Sequence, residues 1–283
     1  MAYFDKYGVE YSDNQKILVR CPCDLSGEYK VLDGVHWIEE DAFFYCDKLT
    51  SVVIPDGVVK IKDYAFCFCS SLEKILLPHS VTYLGFECFN GCGNLKSITL
   101  PNSLIEIEGE AFCGCSSIES IIIPNGVKTI GDSAFSDCTN LKYVFIPKTV
   151  YLIGNYPFSN CPNLQYISVD FENRNFTSYY GALCHNDLFG YKHPDSLIRL
   201  PSQFKGHMGL PISLRTIEYG AFQDCKYLEW IVFHGNINNV YGNFDDCVNL
   251  KEILVPVNSK VRFSQMEGLK SVAGKIKETK IEL

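Results

Sequence analysis

The sequence predicts a repeat solenoid of α/β type: a right-handed coil with short parallel strands, mostly β and turns. Three observations carry this. Ala-Phe recurs at 42–43, 65–66, 111–112 and 134–135, with Cys-Phe at 88–89 and Pro-Phe at 157–158, every step being 23 residues. Cysteine follows in phase at 46, 69, 92, 115, 138 and 161. An apolar pattern, Leu49-x-x-Val52-x-Ile54, recurs through Leu164-x-x-Ile167-x-Val169, and proline closes five of its six copies. A fixed period of this size marks a stacked array and outranks local signals.

Each element of one repeat has a cause. Val52 and Ile54 alternate, so they face one side of a short strand, and Leu49 points inward just before it. Pro55 has no N–H for a ladder and ends the strand. Pro55-Asp56-Gly57, and later Pro124-Asn125-Gly126, supply a turn. A second apolar pair follows, Val58 and Ile61, and Gly85, Gly131 and Gly154 mark the next bend. Ala-Phe-x-x-Cys is expected to form a short helical turn with Phe filling the coil. No single coil buries its own apolar edge, so stability rests on contacts between neighbours.

Leu49-x-x-Val52-x-Ile54 is the leucine-rich-repeat pattern. Cys115 to Phe135, CSSIESIIIPNGVKTIGDSAF, resembles the BspA-type leucine-rich repeat family. The resemblance covers about residues 8–257. It implies a non-enzymatic module that binds protein or glycan, of the kind found on surface proteins of oral and gut bacteria and some protists. It also implies cell-surface or secreted localisation; the alternative is a cytoplasmic interaction scaffold, since residues 1–10 carry no apolar leader segment.

In chain order, residues 1–41 are a start cap with a hairpin at Val9–Val19, and six coils run from 42 to 170. Residues 171–220 form an irregular hairpin insert, two further coils span 221–257, and 258–283 form a terminal cap. The whole is expected to be one elongated domain and a monomer. The insert reads as a second copy of the start cap: Pro22 precedes Ala42 by 20 residues, and Pro201 precedes Ala221 by 20. Its hairpin is longer, so a tip around Asn186 to Asp195 is expected to protrude. Gln265 to Lys277 is a weak amphipathic helix candidate.

The net charge of −8 disfavours nucleic acid as a partner, and no apolar run is long enough to span a membrane. Fourteen cysteines invite a disulfide or zinc reading. Eight lie on the repeat phase and read instead as an interior ladder of thiols. His185 and His193, the nearest histidine pair, read as loop residues. No metal site, cofactor or catalytic constellation is expected, and no P-loop, nucleophile elbow or zincin motif is present. The candidate site is the outward face of the main strand. Outward aromatics suggest a binding surface, and the candidates are Tyr143, Phe145, Tyr166, Trp230 and Val232.

Overall fold

The computed structural model describes residues 1–187, 193–234 and 237–280. It forms two compact units, 1–161 and 162–283. The expected tip at Asn186 to Asp195 lies partly outside the described residues.

The first unit is a parallel β-coil with two ladders. One is a nine-stranded sheet among the described residues. It begins with the antiparallel strands Tyr3–Phe4, Glu10–Tyr11 and Ile17–Arg20 and continues parallel from Trp37–Ile38 to Leu152–Ile153. The other contains Gly27–Lys30, Leu49–Val53 and Lys74–Leu76, then Ser120–Ile122 and Tyr143–Ile146. Partners stand one period apart, as in Glu106↔Thr129 and Ser120↔Tyr143.

Phe43, Phe66, Phe89, Phe112, Phe135 and Phe158 are fully buried and stack face to face. Their centroids step by 4.6, 5.3, 5.4, 5.4 and 5.8 Å, close to the spacing of paired strands. From Cys69 to Cys161, each thiol of the cysteine ladder donates to the Phe carbonyl of the coil before it, as in Cys115 Sγ to Phe89 O at 3.2 Å and Cys138 Sγ to Phe112 O at 3.2 Å. These cysteines therefore do more than fill space: from Cys69 to Cys138, each adds a second hydrogen bond to a buried carbonyl that already accepts a backbone N–H of its own coil. All 14 cysteines are thiols. Burial pushes Cys69, Cys92, Cys115 and Cys138 well above the usual thiol range.

The Ala-Phe-x-x-Cys segments are not helical, contrary to the sequence expectation. Left-handed residues bracket each, for example Glu110 (φ 54°) and Gly114 (φ 70°). Alternate N–H groups reach the next coil instead: Glu110 N to Asp132 O, Phe112 N to Ala134 O and Gly114 N to Ser136 O, each 2.8 Å. A helical turn would use those donors within its own segment. Bonding between coils wins because it repeats at every rung, and it offsets the left-handed cost of roughly 1 kcal/mol per residue. The bend before this corner is equally crowded. A Cβ on Gly131 would lie 2.3 Å from the Gly109 nitrogen, so only glycine lets the coils approach.

In the second unit, Phe176–Tyr179, Ala182–Asn186 and Pro194–Arg199 form an antiparallel meander. Pro194–Arg199 then pairs parallel with Thr216–Ile217, and that strand with Asn239–Val240. A four-stranded parallel sheet follows the order Gly206–Gly209, Leu228–Val232, Glu252–Pro256, Ile276–Thr279. The repeat does not stop at 257 as the sequence suggests. Ile276 pairs with Ile253, one full period back. The helix Lys260–Ser264 and the 3-10 helix Glu267–Lys275 occupy that rung's corner and bury Phe263, Leu269 and Val272. The helical signal therefore covers the connection, not the closing strand.

Candidate functional site

The strand pattern that buries Val52, Ile75, Ile121 and Val144 turns their neighbours outward. In the first unit two outward columns result. One carries Glu28, Ser51 and Lys74, a bridge to Ser97, then Ser120 and Tyr143. The other carries Lys30, Val53 and Leu76, then Ile122 and Phe145. Ile122 is 71% exposed, Tyr143 51% and Leu76 48%. Val53 and Phe145 are half-buried.

The first unit thus presents an aliphatic and aromatic stripe beside a small polar column. A search for outward aromatics finds Tyr143 and Phe145 but passes over Val53, Leu76 and Ile122. The same two-residue alternation finds all of them once aliphatic side chains are counted. Ion pairs flank the stripe one rung apart, Lys96 to Glu73 at 2.7 Å and Lys142 to Glu119 at 2.8 Å. Both are solvent-exposed and contribute little stability. A hollow of about 560 Å³ opens at the first rung, lined by Tyr3, Lys6, Tyr7, Lys30 and Val53 among others.

In the second unit Tyr166 stands on the strand Tyr166–Val169 and is 46% exposed. Its ring covers Gly181, where a Cβ would meet it at 2.7 Å. Trp230 and Val232 stand on Leu228–Val232, in register with His207, Glu252 and Leu254. Tyr166 and Trp230 therefore belong to different sheets. Trp230 is half-buried: its indole stacks on His207 at 4.7 Å and 8° between planes. Its indole N–H is buried without a hydrogen-bond partner. Glu229 beside it is held below the usual carboxylate range by its bond to Lys251, with His207 adding to the effect. His207 escapes a sequence reading because it lies in the insert, before the coils resume.

His185 and His193 do not converge on a ligand set. His185 packs against Phe176 at 4.6 Å, and burial lowers its pKa, whereas His193 is exposed. Among the described residues, no group of three His, Cys, Asp or Glu has metal-holding geometry. No helix among them is long and apolar enough to cross a membrane.

The profile of the "BspA type Leucine rich repeat region" matches residues 34–180 and 206–280, in six copies. Among solved structures, a leucine rich cell surface protein from Faecalibacterium prausnitzii A2-165 superposes with TM-score 0.68 at 25% identity, over 89% of this chain and 76% of that one. A leucine-rich repeat protein from Bacteroides ovatus ATCC 8483 gives TM-score 0.64 at 29% identity, over 90% and 69%. One from Eubacterium ventriosum ATCC 27560, at 17% identity and TM-score 0.62, shares the fold over 88% and 70%. No curated protein matches the chain by sequence.

Proposed function

The chain belongs to the BspA-type leucine-rich repeat family, and from that premise we propose that it is a non-enzymatic binding module, adhesin-like, that engages a protein or glycan at the cell surface or after secretion. The family and fold are those of repeat proteins. The carrying observation is the outward face of the first unit's strand ladder, where Leu76 and Ile122 of one column and Tyr143 of the other stand exposed on a sheet face that packing alone would leave polar. Tyr166, and Trp230 with Val232, are the second unit's part of the same proposal. Large rigid side chains give contact area at low entropic cost, so they dominate interfaces. The likeness to a cell surface protein supports the localisation.

An intracellular interaction scaffold is the second reading. It is favoured by one observation, the 14 unjoined thiols.

The test screens the full chain on glycan arrays and on arrays of extracellular-matrix proteins. The same screen is then run with Ile122→Ser/Tyr143→Ser. Any genuine ligand should lose about tenfold or more in affinity, since central contacts of an interface typically carry over 1 kcal/mol each. The melting temperature should move by only a few degrees, because outward side chains leave no cavity. Ligands retained at full affinity would place binding elsewhere and end the proposal for this face.

A further inference from the structure

The geometry points to a thiol–disulfide exchange site in the start cap, where exposed Cys23 takes up a low-molecular-mass disulfide and Cys46 resolves it into a Cys23–Cys46 cross-link.

Three thiols converge there. Cys21 and Cys23 come from the end of the cap's hairpin, and Cys46 is the first member of the interior ladder. Cys46 Sγ reaches back to this segment, to the Cys21 carbonyl at 4.0 Å. Cys21 Sγ and Cys46 Sγ also share the Pro22 carbonyl, at 3.5 and 3.7 Å. Cys23 Sγ lies 3.6 Å from the Phe44 carbonyl, two residues before Cys46. Burial separates the roles. Cys21 and Cys46 are buried, whereas Cys23 is exposed, in a turn closed by Leu25 N to Pro22 O at 3.1 Å. Every other cysteine is at least partly shielded.

The charge state follows from the same contacts. Cys46 is held below the usual thiol range, chiefly by the neighbouring Cys21 thiol, against burial, with Cys23 adding to the effect. Its ladder neighbours Cys69, Cys92, Cys115 and Cys138 are all pushed up, burial being the largest cause. The internal cap provides a contrast within the molecule. Leu200 and Ser202 stand there in place of Cys21 and Cys23, and burial pushes Cys225, the counterpart of Cys46, up to about 12.

The chemistry balances without a metal or cofactor. The Cys23 thiolate attacks one sulfur of the external disulfide and expels one thiolate. The Cys46 thiolate then attacks Cys23 Sγ and expels the second. Two protein thiols are oxidised, one disulfide is reduced to two thiols, and the protons pass to the released thiolates. Cys46 can resolve but not initiate, because a buried sulfur cannot meet an external disulfide.

The test uses the full chain with oxidised glutathione. Thiols are then blocked by alkylation and peptides are mapped without reduction. The expected product is one Cys23–Cys46 peptide and the loss of two thiols, reversed by dithiothreitol. Cys21→Ser should keep the link. Cys46→Ser should stop at glutathione on Cys23, and Cys23→Ser should take up none. A link through Cys21, a stable glutathione adduct on wild-type Cys23, or no reaction would each overturn the proposal. If Cys46→Ser does not fold by circular dichroism, the maps of the wild type and Cys21→Ser decide alone.

Discussion

The start cap and the internal cap are one design executed with different side chains. Leu18, Ile38, Ala42 and Leu49 answer at one constant offset to Leu197, Ile217, Ala221 and Leu228, and the pairings repeat with them: Leu18↔Ile38 and Leu197↔Ile217. Each meander feeds a parallel coil. Each next strand joins with the same register shift just after a glycine, Gly27 (φ 79°) and Gly206 (φ 82°). The cores differ. The start cap buries Tyr29, whose hydroxyl meets Tyr11 and donates to Asp5 at 2.8 Å, where the internal cap buries Met208. Arg20 is exposed, while its counterpart Arg199 is 3% exposed and donates to the Gly220 carbonyl and Ser202 Oγ, both at 2.9 Å. Backbone constraints are thus repeated while the filling varies. The ladder needs its turn, bulge and proline at set places, but any filling of suitable volume that satisfies its polar atoms will serve.

The two tryptophans, Trp37 and Trp230, allow each unit to be followed by fluorescence in single-tryptophan variants. The largest expected effect comes from the first ring after each cap. Phe43 lies between Tyr29 at 6.1 Å and Phe66 at 4.6 Å. Phe222 stacks on Phe244 at 4.4 Å, with Met208 in the same core. Either Phe→Ala should cost about 3–5 kcal/mol in urea unfolding of its unit. Phe222→Ala should fall at the low end, because flexible Met208 can collapse into the space while Tyr29 is pinned by its hydroxyl. An equal or larger loss at Phe222 would show that the fillings behave alike.

Next, Arg199→Leu should cost about 2 kcal/mol, since it strands the Gly220 carbonyl and Ser202. Arg20→Leu should fall within about 0.5 kcal/mol of the wild type. Similar losses at the two positions would mean that burial of the guanidinium is not what separates the caps.

The smallest effect is a pH slope. Burial, aided by the bond to Tyr11, holds Tyr29 above the usual tyrosine range, and burial raises Tyr11 as well. The folded state therefore keeps a proton that the unfolded chain releases above about pH 10. This stability is fully present below that pH and lost as pH rises toward the folded value. Buried thiols add a similar slope in both units. Tyr29→Phe should flatten only the first unit's loss between about pH 9 and 11, leaving the second unit's curve unchanged. Identical slopes before and after the substitution would remove the tyrosine pair from the comparison.

The sequence by itself determined the period, the strand that follows the in-phase leucines other than Leu95, the inward and outward registers, and the duplication of the cap. All of these are local: a 23-residue spacing, two-residue alternation and proline's missing donor leave little else for the chain to do. Only the tertiary structure decided that the Ala-Phe corner is a ladder between coils, because the competing acceptors lie 22 residues away. The same holds for the cysteines, whose acceptor is a carbonyl on the coil before. It holds for the final strand, where Ile276 takes its place from Ile253 after the helical connection has hidden the repeat from view. Exposure also belonged to the assembled fold. Tyr143 and Trp230 read alike as outward residues, yet Tyr143 is half open to solvent and Trp230 lies against His207. Alternation sets the side of the sheet on which a side chain stands, and only the neighbouring strands decide what covers it.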